Sequence, residues 1–477
     1  MKSISYGVKW NGIGKATTQI SVILGSLFLS RVLLPEDFGT VAMVTIIYSY
    51  AVLFLDMGFT HALIQKKQIT NNELSSVFWL NTLIGLFFFS CFYLSAPLIA
   101  SFYKNEDLVL ITRVISTAFL LSALPQIPRV LLIRQMEFKK TNIVNILGVP
   151  LSYTVALIMA YNDFGMWSIV AQMLLSRIFG PMLLWSYIKW RPKIRLRIAD
   201  LRGIMKFSLN TFLFQFIDHW TQNLNGILIG RNIGAVDMGL YNRSRVFLTL
   251  PVRNIASVIT SSTFPKLAQL QDEKEQVKVI YLKSIHFLSF WIVPAMLGLS
   301  FIAKEFTLFF LGSIWEDMTP ILQIFAVTSI MTSIFYVGDS AISSQGRIDL
   351  LVKLSFLEKG ILIIGSFIGI QFGLMGVVYA NLIGTILVTV PKFMLLNRVL
   401  TTSLKDHITI HLPIILKSLI MLGMLFLAQE LLEFANSGVL LFVYLVVGIT
   451  SYLVINLVTR DPILAESMKK VKNLLSL

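Results

Sequence analysis

The stretch Arg31-Val-Leu-Leu-Pro-Glu-Asp-Phe-Gly39 separates two long apolar runs and recurs, in the same register, as Arg231-Asn-Ile-Gly-Ala-Val-Asp-Met-Gly239. Pro35 cannot continue a helix, Asp37 can cap the helix that follows, and Gly39 adds backbone freedom, so a tight turn between helices is predicted. Each copy lies between two hydrophobic segments of helix length. Such a recurring turn is typical of one structural unit used twice, and the sequence therefore predicts two repeated halves.

Composition identifies the chain as a membrane protein. Of its 477 residues, 56% are hydrophobic and only 14% are charged, whereas a soluble protein carries roughly 25% charged residues. The 40 basic and 25 acidic residues give a net charge of +15. Basic loops on the cytoplasmic side of a membrane explain this excess, so no nucleic-acid partner is predicted. The single cysteine, Cys91, excludes a disulfide within the chain and any multi-cysteine metal site.

The hydrophobic pattern predicts an all-α, polytopic membrane protein with about 14 transmembrane helices and no soluble domain. The predicted spans are 10–32, 39–63, 74–99, 107–132, 141–161, 164–188, 207–230, 238–263, 279–302, 319–345, 352–371, 374–399, 411–431 and 438–458. With the N-terminus in the cytoplasm, lysine and arginine gather in the cytoplasmic loops, and the outer loops hold only Lys104 and Lys304, with Arg31 and Arg231 at helix ends. Both termini are therefore predicted to be cytoplasmic.

The longest basic connection falls between the sixth and seventh predicted spans and is the predicted joint between the halves. Span one then corresponds to span seven, and span two to span eight. Because each half has an even number of spans, the halves are predicted to be parallel repeats. The predicted organisation is a six-helix lobe at 1–188, a basic cytoplasmic joint at 189–206, a second six-helix lobe at 207–400, and two additional helices with a cytoplasmic tail at 401–477.

Polar residues on the first helix of each half predict a wet cleft between the halves. They recur at helical spacing and so share one face. They are Asn11, Lys15, Thr18 and Gln19, with Gly25 and Ser26 further along, in span one, and Asp218, Thr221, Gln222 and Asn225 in span seven. Polar faces in hydrocarbon turn toward protein or water, and we expect Lys15, Gln222 and Asn225 to contact a substrate there. The alternative is that these stripes only pack helices together through hydrogen bonds and small residues.

Arginines inside the predicted spans would make this cleft cationic. Guanidinium groups stay charged and bind phosphate or carboxylate through two parallel hydrogen bonds, which predicts an anionic substrate. The expected substrate-binding arginines are Arg31, Arg113, Arg177, Arg245 and Arg253. The alternative is snorkelling to the membrane surface, which suits Arg31 at a helix end better than Arg177 or Arg253, which lie deeper.

Carboxylates inside the spans are fewer. Asp56 and Asp218 are candidates for carrying a coupling proton, although each could instead neutralise a nearby arginine. Asp339 and Glu358 lie in spans ten and eleven. The histidines His219 and His286 are expected to be isolated packing residues, because no two histidines have the spacing of metal ligands. No catalytic residue, metal or other cofactor is predicted.

Four stretches together resemble a known family. They are SRVLLPEDFGTVAM at 30–43, LLIRQMEFKK at 131–140, GLYNRSRVFLTLPVRNIASVITSSTFPKLAQLQDE at 239–273 and LGSIWEDMTPIL at 311–322. They look like the Wzx-type polysaccharide flippases, in particular the branch of the colanic acid and teichuronic acid exporters. That branch belongs to the multidrug/oligosaccharidyl-lipid/polysaccharide transporter superfamily. The resemblance extends over nearly the whole chain.

The resemblance implies two six-helix lobes in a V, followed by two extra helices. It implies that the substrate is an undecaprenyl-diphosphate-linked oligosaccharide, moved from the inner to the outer leaflet of the bacterial cytoplasmic membrane. The product would serve exopolysaccharide, capsule, O-antigen or teichuronic acid assembly, and the partners would be membrane lipids, a polysaccharide polymerase and a chain-length regulator. Sites in such a family vary with the sugar, so the resemblance assigns no cavity residue.

Two other classes are weaker alternatives. A multidrug cation antiporter of the same superfamily would favour an acidic cavity, and the predicted cavity is basic. A membrane glycosyltransferase or polymerase would need catalytic groups on a sizeable outer loop, and every predicted outer loop is short. The sequence therefore favours a transporter over an enzyme.

Overall fold

The computed structural model describes residues 4–56, 59–194, 196–197, 223–271, 273–432 and 436–465, and this part of the chain contains helices and no strand. The helices are α1 (Ile4–Val32), α2 (Pro35–Asp56), α3 (Phe59–Gln65), α4 (Asn71–Tyr103), α5 (Leu108–Ala123), α6 (Gln126–Arg134), α7 (Phe138–Tyr161), α8 (Met166–Tyr187), α9 (described over 223–232), α10 (Ala235–Gln269), α11 (Lys274–Phe301), α12 (Ala303–Phe306), α13 (Thr319–Ser344), α14 (Ile348–Gly369), α15 (Gly373–Leu400), α16 (Leu404–Leu431) and α17 (Ser437–Val458). Short π and 3-10 turns occupy Thr307–Leu311, Ser313–Met318 and Ile370–Phe372.

The prediction of an all-α, multi-pass membrane protein is confirmed. Eleven helical segments of the described chain are long and apolar enough to cross a membrane. One of these segments, Ile348–Leu400, contains both α14 and α15. The 35-residue α10 is not among the eleven, and it carries several arginine, serine and threonine residues. Most of the predicted span 207–230 lies outside the described residues, so the count of 14 stays a prediction.

The chain divides into two compact units, Met1–Asn242 and Arg243–Leu477, called here the N-terminal unit and the C-terminal unit. In the N-terminal unit α4 packs on α5, α7 packs on both α1 and α8, and α2 packs on α5. The break between α5 and α6 falls at Pro125, where proline removes a helical hydrogen bond. In the C-terminal unit α11 contacts α13 and α16, α15 contacts α13 and α14, and α16 packs on α17.

The two copies of the repeated turn pack directly against each other within the N-terminal unit. A Cβ atom added to Gly39 would lie 1.7 Å from the carbonyl oxygen of Ala235, and one added to Gly239 would lie 1.9 Å from the carbonyl oxygen of Pro35. Each glycine thus faces the residue four positions before the other glycine, so the contact is reciprocal. Neither glycine has a positive φ, so the predicted reason for Gly39 was wrong: close approach of two helices, and not freedom at a turn, requires it.

The local chemistry of the first turn otherwise follows the prediction. Pro35 is the first residue of α2, a position that needs no backbone N–H donor. The Oδ2 atom of Asp37 accepts a hydrogen bond of 3.0 Å from the backbone N–H of Leu34, the residue before the helix. A carboxylate in this first turn also faces the positive end of the helix dipole. Asp37 therefore stabilises the start of α2 from its third position.

Candidate functional site

Arg177 on α8 lies inside the N-terminal unit, against an aromatic ring. Its guanidinium is 5.4 Å from the ring centre of Tyr48 on α2, and its Nη1 donates a 2.8 Å hydrogen bond to the carbonyl of Met173. The hydroxyl of Tyr48 is in turn 3.3 Å from Ser122 Oγ on α5. Three helices therefore hold this guanidinium, and the ring attracts its charge without neutralising it.

Two further arginines of this unit also lie over aromatic rings. The guanidinium of Arg113 on α5 is 5.1 Å from the ring centre of Tyr93, and that of Arg231 on α9 is 4.2 Å from the ring centre of Phe102. The Nε atom of Arg113 is buried and has no hydrogen-bond partner among the described residues. Neither Arg113, Arg177 nor Arg231 forms an ion pair with a carboxylate in the described part of the chain. Arg31, at the last turn of α1, has an exposed side chain.

The polar faces predicted for spans one and seven are only partly described. Asn225 Nδ2 donates a 3.1 Å hydrogen bond to the hydroxyl of Tyr241 on α10, as expected for a residue that ties helices together. Gly25 lies against the ring of Tyr153 on α7, so this part of α1 packs on its neighbour. The Lys15 side chain is exposed. The structure therefore supports helix packing for part of these two stripes.

The remaining predicted site residues fall into two groups. Gln222 and Asp218 lie outside the described residues, and Asp56 ends α2 with its side chain outside the description. Arg245 and Arg253 lie on α10 in the C-terminal unit, where Arg245 is half-buried and Arg253 is exposed. The two residues are eight positions apart, which corresponds to about 12 Å along a helix.

A charged triad in the C-terminal unit includes a residue that the sequence analysis missed. Lys392 on α15 pairs with Glu358 on α14, with 3.0 Å between Nζ and Oε2, and lies 3.8 Å from Oδ2 of Asp339 on α13. The Lys392 side chain is only 12% exposed, whereas that of Asp339 is 46% exposed. Asp339, Glu358 and Lys392 lie in three consecutive predicted spans. This pattern of ionisable residues could have predicted the cluster from the sequence.

A second charged cluster joins the C-terminal pair of helices to α11. Lys417 Nζ on α16 contacts Asp461 Oδ2 at 2.7 Å and Asn456 Oδ1 at 2.9 Å. His286 Nε2 on α11 is 3.8 Å from Asp461 Oδ1, so the prediction that His286 is isolated was wrong. The hydroxyl of Tyr452 donates a 2.9 Å hydrogen bond to the carbonyl of Phe290 nearby. Within the described ranges, no group of three or more histidine, cysteine, aspartate and glutamate side chains could hold a metal ion.

The fold and these buried charges define a class, the polytopic helical membrane transport proteins, in which ionisable residues face the protein interior. Residues 28–320 match the family described as "Polysaccharide biosynthesis protein", and the chain belongs to this family.

Relatives and solved structures agree with this assignment. The chain is 29% identical over 369 residues to the teichuronic acid biosynthesis protein TuaB of Bacillus subtilis (strain 168), covering 76% of this chain and 75% of TuaB. It is 26% identical over 418 residues to the lipopolysaccharide biosynthesis protein WzxC of Escherichia coli (strain K12), covering 85% and 83% of the two chains. Its fold is similar to that of the lipid II flippase MurJ in an inward closed conformation, with a TM-score of 0.76, 18% identity, and coverage of 94% and 99%. The predicted resemblance to the Wzx-type flippases is confirmed.

Proposed function

We propose that this chain is a flippase that moves an undecaprenyl-diphosphate-linked oligosaccharide from the inner to the outer leaflet of the bacterial cytoplasmic membrane. The relatives named for teichuronic acid and lipopolysaccharide biosynthesis, and the fold shared with a lipid II flippase, support this function. The product would enter exopolysaccharide, capsule, O-antigen or teichuronic acid assembly. A polymerase and a chain-length regulator would be the natural partners, because the repeat unit must be polymerised after it has crossed the membrane.

The observation that carries this proposal is the set of guanidinium groups that rest on aromatic rings in the N-terminal unit. Arg113 and Arg177 keep their positive charge without a carboxylate partner among the described residues. Both arginines are half-buried, and a partly desolvated cation without a counter-ion is costly, so such a site suits an anion that comes and goes. A diphosphate supplies the planar pairs of oxygen atoms that guanidinium binds best.

Alternating access gives the charged headgroup a route across the bilayer. The diphosphate cannot cross hydrocarbon alone, because each unpaired charge costs several kcal/mol or more. We propose that the lobes at 1–188 and 207–400 rock about the basic joint at 189–206 and expose a cationic cleft to each side in turn, while the lipid tail stays in the bilayer. The first part of the joint is attached to α4, because the backbone N–H groups of Lys193 and Arg197 donate hydrogen bonds to Ser75 Oγ and Ser76 Oγ. Lys193 and Arg197 would thus move with the N-terminal lobe.

Replacement of Arg177 tests the proposed anion site. We expect Arg177→Ala to abolish surface polysaccharide and to leave lipid-linked oligosaccharide in the inner leaflet, with a normal amount of protein in the membrane. Arg177→Lys should restore export in part, because lysine keeps the charge and loses the two-point geometry. Arg347→Ala is the matched control, since Arg347 pairs with Asp349 at the start of α14. Normal export by Arg177→Ala would show that this arginine has only a structural role.

A further inference from the structure

Two histidines at the start of α16 have hydrogen-bonding capacity that the described protein atoms do not use. His407 and His411 lie one helical turn apart, with ring centres separated by 6.2 Å and ring planes inclined by 17°. The His407 side chain is buried, and the residue is only 2% exposed. All four ring nitrogen atoms are buried and without a hydrogen-bond partner in the described chain. They face into the bundle on the side of α16 that packs against α11.

Two buried imidazoles without hydrogen-bond partners destabilise the folded state, compared with apolar side chains at the same positions. A neutral imidazole carries one N–H donor and one acceptor nitrogen. Leaving a buried donor or acceptor unpaired disfavours folding, whereas an apolar side chain of the same shape would carry no such penalty. Further along α16 the buried positions are Ile414, Ser418, Met421 and Leu425, and the one polar residue among them, Ser418, donates a hydrogen bond to the carbonyl of Ile414. The two histidines differ from Ser418, because their ring nitrogens have no partner among the described residues.

Ionisable groups lie close to the two rings on α11 and α16. Below them, Lys278 of α11 pairs with Asp406 of α16 at 2.8 Å. Beside His407 lies Tyr281, 5.9 Å away between ring centres, whose buried hydroxyl also has no partner among the described residues. Tyr281 interacts electrostatically with Asp339, and His411 interacts with His286. The titratable residues that act on the pair are Tyr281 and His286 on α11 and Asp406 on α16, and from α15 the ring of Phe393 packs on His407 with 4.8 Å between ring centres.

We propose that His407 and His411 form a proton-binding site that connects the Lys278–Asp406 pair to the cluster of His286, Lys417 and Asp461. A proton taken up at one ring nitrogen is released from the other nitrogen of the same ring, so each imidazole passes on what it receives. Imidazole is the side chain that ordinarily changes charge between about pH 5 and 8. A metal ion would need further ligands, which the described residues do not supply, and hard cations prefer oxygen ligands. The use of this site to drive flipping rests on the proposed function; proton binding itself does not.

Phenylalanine separates a packing role from a proton-binding role. His407→Phe and His411→Phe keep a ring of similar shape and remove the unpaired nitrogens, so the thermal stability should stay equal or rise. At the same time the pH-dependent part of polysaccharide export should be lost. Leu412→Phe is the matched control on the exposed side of the same helix, and it should change neither property. His407→Gln provides a second variant that can form hydrogen bonds and cannot carry a proton at these pH values.

Direct titration tests the site without any substrate. The chain has five histidines, so the spectrum of protein with 15N-labelled histidine in lipid nanodiscs is simple enough to assign with the two phenylalanine variants. We expect the ring signals of His407 or His411 to move as the pH falls from about 8 to 4, because imidazole ordinarily titrates within about pH 5 to 8 and burial opposes its charged form. Signals of both rings that stay fixed over this range would overturn the proposal, as would wild-type pH dependence of export in the double phenylalanine variant. If the rings titrate but no polysaccharide is exported in any variant, the proton site stands and the proposed substrate fails.

Discussion

Substituting alanine for Gly39 should break the contact between the two repeated turns. The added Cβ atom would lie 1.7 Å from the carbonyl oxygen of Ala235, and both atoms belong to helical backbone that cannot rotate away. Ordinary van der Waals contact of a Cβ atom begins at 3.4 Å, so α2 and α10 would have to separate by about 1.7 Å at this point. Overpacking of this kind typically costs about 1–3 kcal/mol. If the contact belongs to one state of the transport cycle, its population should fall by roughly 5- to 150-fold, since 1.4 kcal/mol is a factor of ten.

Gly423→Ala is the matched control, because Gly423 lies in the interior of α16 and a Cβ atom there meets nothing within 4 Å. Alanine generally stabilises an exposed helical position by about 1 kcal/mol relative to glycine. We therefore expect the Gly423→Ala variant to unfold at or above the wild-type temperature and to export normally. Gly39→Ala should lower both the unfolding temperature and the amount of exported polysaccharide. The reciprocal variant Gly239→Ala should match Gly39→Ala. Equal stability and export for Gly39→Ala and Gly423→Ala would refute the contact.

A crosslink across the contact between the two turns tests in which state of the transport cycle this contact is present. In a Cys91→Ser background, cysteines at Thr40 and Leu240 would flank the two glycines. We propose that the contact closes the outer side when the cleft is open to the cytoplasm. A disulfide there should stop export, and reduction should restore it. Normal export with the crosslink fully formed would rule out separation of the two turns during transport.

Three further predictions concern buried charges, a loop anchor and topology. Lys417→Met should destabilise the protein by about 3–5 kcal/mol, because it leaves the buried carboxylate of Asp461 unpaired, and adding Asp461→Asn should recover much of the loss in a thermal unfolding assay. Arg134→Ala should make the loop after α3 sensitive to protease, because Arg134 donates to four carbonyls between Leu63 and Lys67; unchanged cleavage would contradict this anchor. Reporter fusions at Lys104 and Lys193 should report opposite sides of the membrane, and an outside signal at Lys193 would overturn the predicted topology.

Helix positions were predictable because the bilayer fixes helix length and the turns carry strong local signals. The predicted spans 141–161, 164–188 and 438–458 agree closely with α7, α8 and α17. Among the larger differences, α11 and α16 begin several residues before the predicted spans at 279 and 411. Polar first turns such as that of Ser403 and Asp406, which form a capping box, continue a helix beyond its apolar part. Hydropathy alone cannot detect such extensions.

Side-chain partners were much less predictable, because a partner is set by tertiary packing and not by local sequence. Lys392 lies in an apolar run, and no role was predicted for it. In the structure it lies close to Glu358 and Asp339. His286 was expected to be isolated, since its partner Asp461 lies 175 residues further along the chain. For Gly39, the sequence indicated a special position and could not reveal that the residue in contact belongs to the other repeat.

Some cations of the described helices rest on aromatic rings and others pair with carboxylates, and this difference bears on their roles in transport. In the N-terminal unit Arg113, Arg177 and Arg231 rest on aromatic rings, which leave the charge available to an incoming anion. In the C-terminal unit Lys392 and Lys417 each contact carboxylates of the same unit, so these charges are compensated internally. A site that binds a substrate anion must stay uncompensated, whereas a site that exchanges protons needs partners close by to receive and return them. The Lys278–Asp406 pair next to His407 therefore fits proton exchange, and the unpaired arginines fit recognition of a diphosphate.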